Sequence, residues 1–331
     1  MLDKSPPPAL LDWIADLRIA VLLPCLNEEA AIADVIKGFK AAVPSVTVYV
    51  YDNNSTDNTA AVARAAGAVV GQEKRPGKGS VVRRMFSDVE ADIYVLADGD
   101  GTYDASVLPS MLQLFLAEQL DFLNGARVHD TAGAYRPGHR FGNYVLTGLV
   151  REVFGRELND MLSGYKVLSR RYVKSFPSAS SGFEIETELA VHALEQRMPM
   201  AETPTHYAER APGSASKLRT IRDGMRIFFL ISRLVKDERP FQFFGLAGLA
   251  AILTGLLLGG QVVVTYLEIG LVPRLPLAVL SLGLIILGVI SIFSGLILDM
   301  VASGRREIRR LFYLSVAGTT SLSEVSRRLK P

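Results

Sequence analysis

Two aspartates at the end of an apolar segment are the first candidates for chemistry. Asp98 and Asp100 follow residues 93–97, an uncharged run that predicts a buried parallel strand. Open α/β sheets bind ligands at the carboxyl ends of such strands. Side chains two residues apart on an extended chain point to the same side, so both carboxylates can reach one hard divalent cation. The spacing therefore predicts a Mg²⁺ or Mn²⁺ site that neutralises a diphosphate.

Polar residues also end the two earlier predicted strands, at 18–26 and 46–51. They are Asn27 and Glu28 at the end of the first strand, and Asp52 and Asn53 at the end of the second. Polar side chains at strand ends can pair with a base or a ribose. Turn and helix-cap chemistry explains the next residues, Ser55 to Asp57, but it does not explain Asp52.

A glycine-rich segment carries one lysine, Lys78, between Gly77 and Gly79. In the phosphate loop of ATPases a serine or threonine follows the lysine, and here Gly79 stands at that position. The first glycine of that motif is also missing. We therefore exclude an ATPase of that type and expect a loop with one lysine near a nucleotide.

The elements that must position these residues alternate between strand and helix. Predicted strands cover 18–26, 46–51, 68–72, 92–97 and 122–126, and predicted helices cover 28–42, 59–66, 81–89, 107–118, 141–154 and 184–196. Alternation of this kind predicts a parallel sheet between two layers of helices. The pattern becomes less regular after residue 105.

Two late segments, 241–266 and 275–298, contain no Asp, Glu, Lys or Arg. As helices each would be about 36–39 Å long, enough to cross the hydrocarbon core of a bilayer. The flanks 217–239 and 302–331 each carry seven basic residues, against three and two acidic ones. Basic flanks face the cytoplasm, so we expect an integral membrane protein with two spans, whose catalytic domain and both termini are cytoplasmic. A basic amphipathic helix predicted at 218–236 is typical of the membrane interface.

Bulk composition gives no sign of nucleic-acid binding and excludes an intrachain disulfide. The 331 residues carry a net charge of +2, which gives no argument for nucleic-acid binding. The single cysteine, Cys25, excludes an intrachain disulfide and is expected to be a small buried residue.

The ordered motifs resemble a known family. They are Pro24-x-x-Asn27-Glu28, Asp52-x-x-Ser55-x-Asp57-x-Thr59, Gly77-Lys78-Gly79 and Asp98-x-Asp100. This set resembles the family 2 glycosyltransferases of GT-A type, most closely the polyisoprenyl-phosphate branch that includes dolichyl-phosphate mannose synthase and undecaprenyl-phosphate glucosyltransferases. The resemblance covers roughly residues 18–240. It implies a Rossmann-like, mostly parallel α/β domain (18–217) after an extension (1–17), an interfacial helix (218–240), a two-helix anchor (241–301) and a basic tail (302–331).

The resemblance also assigns roles by position. Asp52 would contact the base, and the nucleotide pocket would include Pro24, Asn27, Glu28, Asn53, Lys78 and Asp98. Asp98 and Asp100 would hold Mg²⁺ or Mn²⁺, with Thr102 where relatives often have a glutamine ligand. The expected catalytic residues are Asp160, Arg127 and Asp100. The expected acceptor-phosphate residues are Arg127, Arg136, Arg140, Asn143, Ser163, Arg210, Ser216 and Lys217.

The expected reaction is an inverting transfer of a hexose, with glucose as the first choice, from a UDP- or GDP-sugar to a polyisoprenyl phosphate. A GDP-mannose-dependent mannose synthase and a transferase acting on a glycan or protein remain alternatives. A processive synthase is disfavoured, because the Gln-x-x-Arg-Trp segment of those enzymes is absent. A non-enzymatic role as a membrane scaffold is disfavoured, because it would give the aspartate pair no function. Whether Asp160 is a base or an orienting residue stays open, as does a homo-oligomer.

Overall fold

The computed structural model describes residues 16–128, 158–177, 184–208 and 239–318, together with Ile14, Gly182 and Lys236. The chain divides into two compact units, Met1–Ile227 with Arg310–Pro331, and Phe228–Arg309. The predicted helix at 141–154 lies outside the described residues, as does all of the predicted helix at 218–236 except Lys236.

The first unit contains one seven-stranded sheet. Its strands are β1 (Ile19–Cys25), β2 (Thr47–Asp52), β3 (Val69–Gln72), β4 (Ile93–Leu96), β5 (Phe122–Val128), β6 (Lys166–Ser169) and β7 (Met200–His206). They lie in the order β3-β2-β1-β4-β6-β5-β7. All neighbours pair in parallel except β6, which is antiparallel to both β4 and β5. The predicted mostly parallel α/β domain is confirmed.

Helices pack on both faces of this sheet, so the side chains of its central strands are buried on both sides. The helices are α1 (Ile32–Ala42), α2 (Thr59–Ala65), α3 (Lys78–Asp88), α4 (Leu108–Ala117), α5 (Arg170–Ser175) and α6 (Ile185–Gln196). Every residue of β4 is buried, which fits a parallel strand covered on both faces. Ile32, Ile36 and Phe39 form the buried face of α1 and belong to the main core.

Two helices begin elsewhere than the sequence predicts. α1 starts at Ile32 rather than at residue 28, because Ala31 and Ile32 donate their backbone N–H groups to the carbonyl oxygen of Glu28 in a separate turn. α3 starts at Lys78 rather than at residue 81. Gly77, with φ of +109°, supplies the backbone turn before it, in a region that favours glycine.

The sequence did not predict β6 or β7. β6 contains Lys166, which is completely buried, so the strand lacks the apolar pattern of a buried strand. β7 contains Pro204, a residue that weakens a strand prediction. It is tolerated here because β7 is an edge strand of the sheet.

The second unit consists mainly of two long helices, α7 (Pro240–Ile269) and α8 (Leu275–Ser315, which continues into the first unit). Both are long and apolar enough to cross a membrane, and only 11% of the most apolar window of each is buried. They contain the two predicted spans. The helices approach closely at glycines, since a Cβ on Gly248 would lie 2.6 Å from the carbonyl oxygen of Gly288.

Candidate active site

The carboxyl ends of β1, β2 and β4 meet at one edge of the sheet. Cys25 pairs with Asp52 between β1 and β2, and Leu22 pairs with Leu96 between β1 and β4. Because these strands are parallel, the polar residues that follow them are brought together, as the sequence predicts.

Asn53 organises the loops at this edge. Its side-chain amide donates to the carbonyl oxygens of Glu73 and Arg75, both at 2.8 Å, and its side-chain oxygen accepts from the N–H of Gly77 at 2.7 Å. Asn53 therefore fixes the loop that leads from β3 into α3 and sets the position of Lys78.

Asp52 is 7% exposed and has one unsatisfied oxygen. Its Oδ2 accepts weakly from the N–H of Ser55 at 3.3 Å, whereas Oδ1 is buried without a hydrogen-bond partner among the described residues. Burying an acceptor without a partner is costly, so such an atom suits a ligand that donates an N–H or O–H group.

The end of β1 is held against the loop after β2. Asn27 adopts a positive φ of 52°; its N–H donates to Ser55 Oγ at 2.9 Å, and its side-chain oxygen accepts from the N–H of Thr56 at 2.7 Å. The N–H of Glu28 donates to Thr59 Oγ1 at 2.8 Å, and Glu28 is buried. Pro24 is half-buried in β1. These three predicted pocket residues thus lie beside Asp52.

Asp98 and Asp100 follow β4 and differ in exposure. Asp100 is 4% exposed, and its Oδ1 accepts from Thr102 Oγ1 at 2.6 Å and from the N–H of Thr102 at 3.2 Å. The Asp98 side chain is 28% exposed. Gly99 between them lies against the side chain of buried Cys25, where any Cβ would clash. Thr102 therefore orients Asp100.

Lys78 lies between two carboxylates. Its Nζ is 2.5 Å from Asp98 Oδ1 and 2.6 Å from Glu186 Oε1, and its side chain is 9% exposed. Glu186, near the start of α6, also accepts from Lys166 Nζ at 2.7 Å. Burial alone would lower the pKa of Lys78, but Asp98 and Glu186 together raise it above its ordinary value. Two ammonium and two carboxylate groups therefore form one balanced cluster.

The segment 160–165 crosses directly beside Asp98. A Cβ on Gly164 would lie 2.6 Å from Asp98 Oδ2, so only glycine allows this approach. The N–H of Gly164 donates to the hydroxyl of Tyr103 at 2.6 Å. Tyr103 in turn forms an isolated bridge with Tyr207, so the Asp98–Tyr103 loop is tied to the end of β7.

Arg127 at the end of β5 forms a two-point ion pair with Asp160. Arg127 Nε lies 2.7 Å from Asp160 Oδ2 and NH2 lies 2.8 Å from Oδ1; the side chains are 15% and 11% exposed. Burial tends to raise the pKa of Asp160, but the hydrogen bonds and charge of Arg127 hold that pKa below its usual range. Asp160 is therefore an anion that fixes Arg127, and Arg127 also lies over the ring of Tyr207, 5.6 Å from its centroid.

Backbone contacts lock the segment around Asp160. Glu202 of β7 accepts from the N–H groups of Asn159 and Asp160, at 2.8 and 3.0 Å. Ser163 is completely buried; its hydroxyl donates to the carbonyl oxygen of Gly125 at 2.5 Å and accepts from the N–H of Tyr165. Ser163 thus joins the segment to β5, and the phosphate contact expected for it stays a prediction.

Sequence reasoning missed several residues of this site. These are Glu186, Lys166, Glu202, Tyr103 and Tyr207. Three alternating glutamates at 184, 186 and 188 were a signal, but acids at a helix start are ordinary, and only the fold shows that Glu186 is buried. The predicted phosphate residues Arg136, Arg140, Asn143, Arg210, Ser216 and Lys217 lie outside the described residues.

The donor atoms present suit a hard divalent cation. Within the described ranges, no group of three or more His, Cys, Asp or Glu side chains is placed to hold a metal ion. Two carboxylates after one strand, Asp98 and Asp100, fit Mg²⁺ or Mn²⁺, which commonly take one or two protein carboxylates and fill their other positions with water and phosphate oxygens. A diphosphate would supply the remaining oxygen ligands of such a site.

Comparison with known proteins finds similarity along most of the chain. Residues 20–176 match the family model described as glycosyl transferase family 2. Glycosyltransferase AglJ of Haloferax volcanii is 34% identical over 291 residues, 87% of this chain and 95% of that protein. The dolichyl-phosphate hexose transferase of the same organism is 26% identical over 222 residues, 67% of this chain and 95% of its own.

A solved structure shares the fold. Glucosyl-3-phosphoglycerate synthase from Mycobacterium tuberculosis, in complex with Mn²⁺ and UDP-glucose, superposes with a TM-score of 0.56 at 26% identity, covering 69% of this chain and 81% of that one. Together with the match to AglJ along most of both chains, this likeness identifies the sheet domain as a GT-A nucleotide-sugar enzyme. The chain is a glycosyltransferase and belongs to glycosyltransferase family 2.

Proposed function

We propose that this enzyme transfers a hexose from a nucleoside-diphosphate sugar to a polyisoprenyl phosphate at the cytoplasmic face of a membrane. One observation carries the proposal: the backbone of Gly164 lies against the Asp98 carboxylate. That contact brings Arg127 and Asp160 to the same site as the aspartate pair. A diphosphate and an acceptor phosphate can therefore meet between the two groups of charges.

The donor would bind at the ends of β1, β2 and β4. Asp52 Oδ1 would accept an N–H of the base, which would satisfy its open position. Pro24, Asn27, Glu28 and Asn53 would form the walls of this pocket. Asp98 and Asp100 would hold Mg²⁺ or Mn²⁺, which supplies electrostatic stabilisation of the leaving diphosphate when bound.

The acceptor is a phosphate on a lipid. Arg127 offers a planar guanidinium whose orientation Asp160 fixes, and guanidinium groups suit two-point contacts with phosphate. Ser163 and the basic residues at 136, 140, 210 and 217, with Asn143 and Ser216, are proposed to complete the acceptor site. The relative named as a dolichyl-phosphate hexose transferase and two helices able to cross a membrane both support a lipid acceptor.

In the reaction, an oxygen of the acceptor phosphate attacks the anomeric carbon and forms the new C–O bond. The bond from that carbon to the diphosphate oxygen breaks, and its electron pair leaves with the diphosphate. A phosphate monoester with a second pKa of about 6 is largely dianionic at neutral pH, so the nucleophile needs no proton removed. Asp160 accordingly orients Arg127, and inversion is what the family resemblance implies.

We place the catalytic domain and both termini in the cytoplasm, from the basic flanks of the two apolar helices. The boundaries given above for the anchor and the tail belong to the same proposal. α8 itself runs through residue 301 without interruption and ends at Ser315.

Product detection tests the proposal. Purified enzyme in detergent, with Mn²⁺ or Mg²⁺, undecaprenyl phosphate and a panel of UDP- and GDP-sugars, is incubated, and the extracted lipid is measured by mass spectrometry. We expect a lipid heavier by one hexose with one donor. The double variant Asp98→Asn with Asp100→Asn should lose this product, whereas Asp34→Asn, which removes an exposed carboxylate on α1, should keep it.

Two other outcomes would each overturn one part of the proposal, the acceptor or the aspartate pair. Nucleoside diphosphate released without a lipid product, in a reaction supplied with glycan or protein, would move the acceptor to that molecule. A product formed equally well by the double variant would remove the aspartate pair from the mechanism.

A further inference from the structure

Lys78 neutralises a carboxylate that the proposed reaction needs for another partner. Its Nζ lies 2.5 Å from Asp98 Oδ1, so the ammonium occupies one of the two oxygens with which Asp98 would hold a divalent cation. A cation on Asp98 and an ammonium at that distance repel each other strongly in a site of low dielectric. Both cannot hold the same oxygen.

The second carboxylate that contacts Lys78, Glu186, is buried and held in place by other residues. Glu186 Oε1 lies 2.6 Å from Nζ, and Glu186 is 3% exposed. Its second oxygen is bound at 2.7 Å by Lys166, which is completely buried and also donates to the carbonyl oxygen of Ser163. The strand β6 and the helix α6 therefore fix Glu186, whereas the Asp98 side chain keeps 28% exposure toward solvent.

We infer that Lys78 is an exchangeable counter-ion. In the free enzyme its ammonium group neutralises Asp98. On donor binding it yields that carboxylate to the divalent cation and contacts the diphosphate, while Nζ keeps its contact with Glu186. This inference rests on the proposed metal-assisted use of the donor and deepens it. The exchange makes the cation and the nucleotide bind cooperatively, because Lys78 leaves Asp98 at little cost only when a diphosphate receives it.

The test measures binding of Mn²⁺ to the full-length enzyme in detergent by isothermal titration calorimetry, with and without UDP. Without UDP, Lys78→Met should bind Mn²⁺ roughly tenfold more tightly than wild type, because the competing ammonium is gone. Lys78→Arg, which keeps the charge, should bind Mn²⁺ as weakly as wild type. The gain in Mn²⁺ affinity that UDP produces in wild type should shrink in Lys78→Met.

Arg75→Met is the matched control, because it removes one positive charge from an exposed residue of the same loop. It should change the Kd for Mn²⁺ by less than about twofold, as screened surface charges do. Glu186→Gln should act in the opposite direction to Lys78→Met, because Lys78 would then pair with Asp98 alone. Thermal melting would identify a Glu186→Gln protein that does not fold, and the Lys78 variants still decide the question.

The outcomes separate two failures. If wild type binds Mn²⁺ together with UDP but Lys78→Met binds Mn²⁺ alone no more tightly than wild type, the exchange is wrong and the proposed function stands. If neither protein binds Mn²⁺ under any condition, the metal-assisted donor site itself is wrong.

Discussion

Asp52 and Asp160 lie on opposite sides of the candidate site, and their carboxylates are bonded in contrasting ways. On the proposed donor side, formed by the ends of β1, β2 and β4, Asp52 keeps one buried oxygen without a partner among the described residues. On the proposed acceptor side, formed by the end of β5 and residues 158–165, both oxygens of Asp160 are bound by Arg127, and Glu202 holds its backbone.

This contrast teaches how the two sides are prepared for their ligands. A side whose polar atoms are already satisfied is rigid before substrate arrives, and preorganised charge is the most effective kind in catalysis. A side with an open acceptor and a carboxylate shared with Lys78 gains bonds only when its ligand binds. Apart from the proposed metal ligands Asp98 and Asp100, substitutions on the donor side should therefore alter ligand binding, whereas substitutions on the acceptor side should alter stability and turnover.

The largest effect is expected from Asp100→Asn. Asp100 is 4% exposed and accepts a hydrogen bond from Thr102, so it is the more buried of the two aspartates. We expect kcat to fall about a thousandfold, since a coordinated cation supplies several kcal/mol of charge stabilisation in a transition state. The assay is initial-rate release of nucleoside diphosphate. A loss smaller than tenfold would show that Asp100 is not needed for metal-assisted departure of the diphosphate.

Asp160→Asn tests the acceptor side. We expect turnover to fall about a hundredfold, and the free energy of unfolding to drop by about 3 kcal/mol, because removing one partner of a mostly buried ion pair leaves Arg127 uncompensated. The acidic limb of the pH–rate profile should stay where it is. A large shift of that limb would instead identify Asp160 as a general base.

The same residue predicts a pH dependence of stability. Because Arg127 holds the pKa of Asp160 below its unfolded value, the pair stabilises the fold above about pH 4, the ordinary carboxyl range, and this stabilisation is lost as the pH falls through the folded pKa. Thermal melting of wild type should show that loss, and Asp160→Asn should show a shallower one. Equal slopes would contradict the assignment.

The residues of the candidate site were unequally predictable from the sequence. Asp52, Asp98 and Asp100 follow apolar strands of a regular alternating pattern, and parallel strand ends converge for geometric reasons. Lys166 argues against a buried strand because it is charged, and Glu186 is one of three acids at a helix start, where acids are ordinary. Lys166 in β6 pairs with Glu186 in α6, 20 positions later in the sequence. Only the tertiary fold brings the two charges together, and without that pairing the burial of either charge would be strongly unfavourable.

Asp52→Asn is the next largest test, and it probes binding rather than turnover. The substitution keeps the shape but replaces one acceptor oxygen by an NH₂ group, which cannot accept from the base. We expect KM for the donor to rise about thirtyfold, as loss of a buried specific hydrogen bond costs about 2 kcal/mol. At saturating donor, kcat should remain within threefold of wild type. A fall in kcat with unchanged KM would place Asp52 outside the nucleotide pocket.

The smallest effect is expected from Thr102→Val, which removes the 2.6 Å hydrogen bond to Asp100 Oδ1 and conserves volume. The N–H of Thr102 still donates to that oxygen at 3.2 Å, so Asp100 loses only part of its support. With UDP present, the Kd for Mn²⁺ should rise about tenfold, a loss typical of a group that orients a metal ligand. Thr203→Val, another buried threonine, in β7, is the matched control and should leave the Kd unchanged. If both variants bind Mn²⁺ like wild type, the hydroxyl of Thr102 is not needed to orient Asp100, and the backbone N–H of Thr102 is sufficient. The donor side would then be as preorganised as the acceptor side.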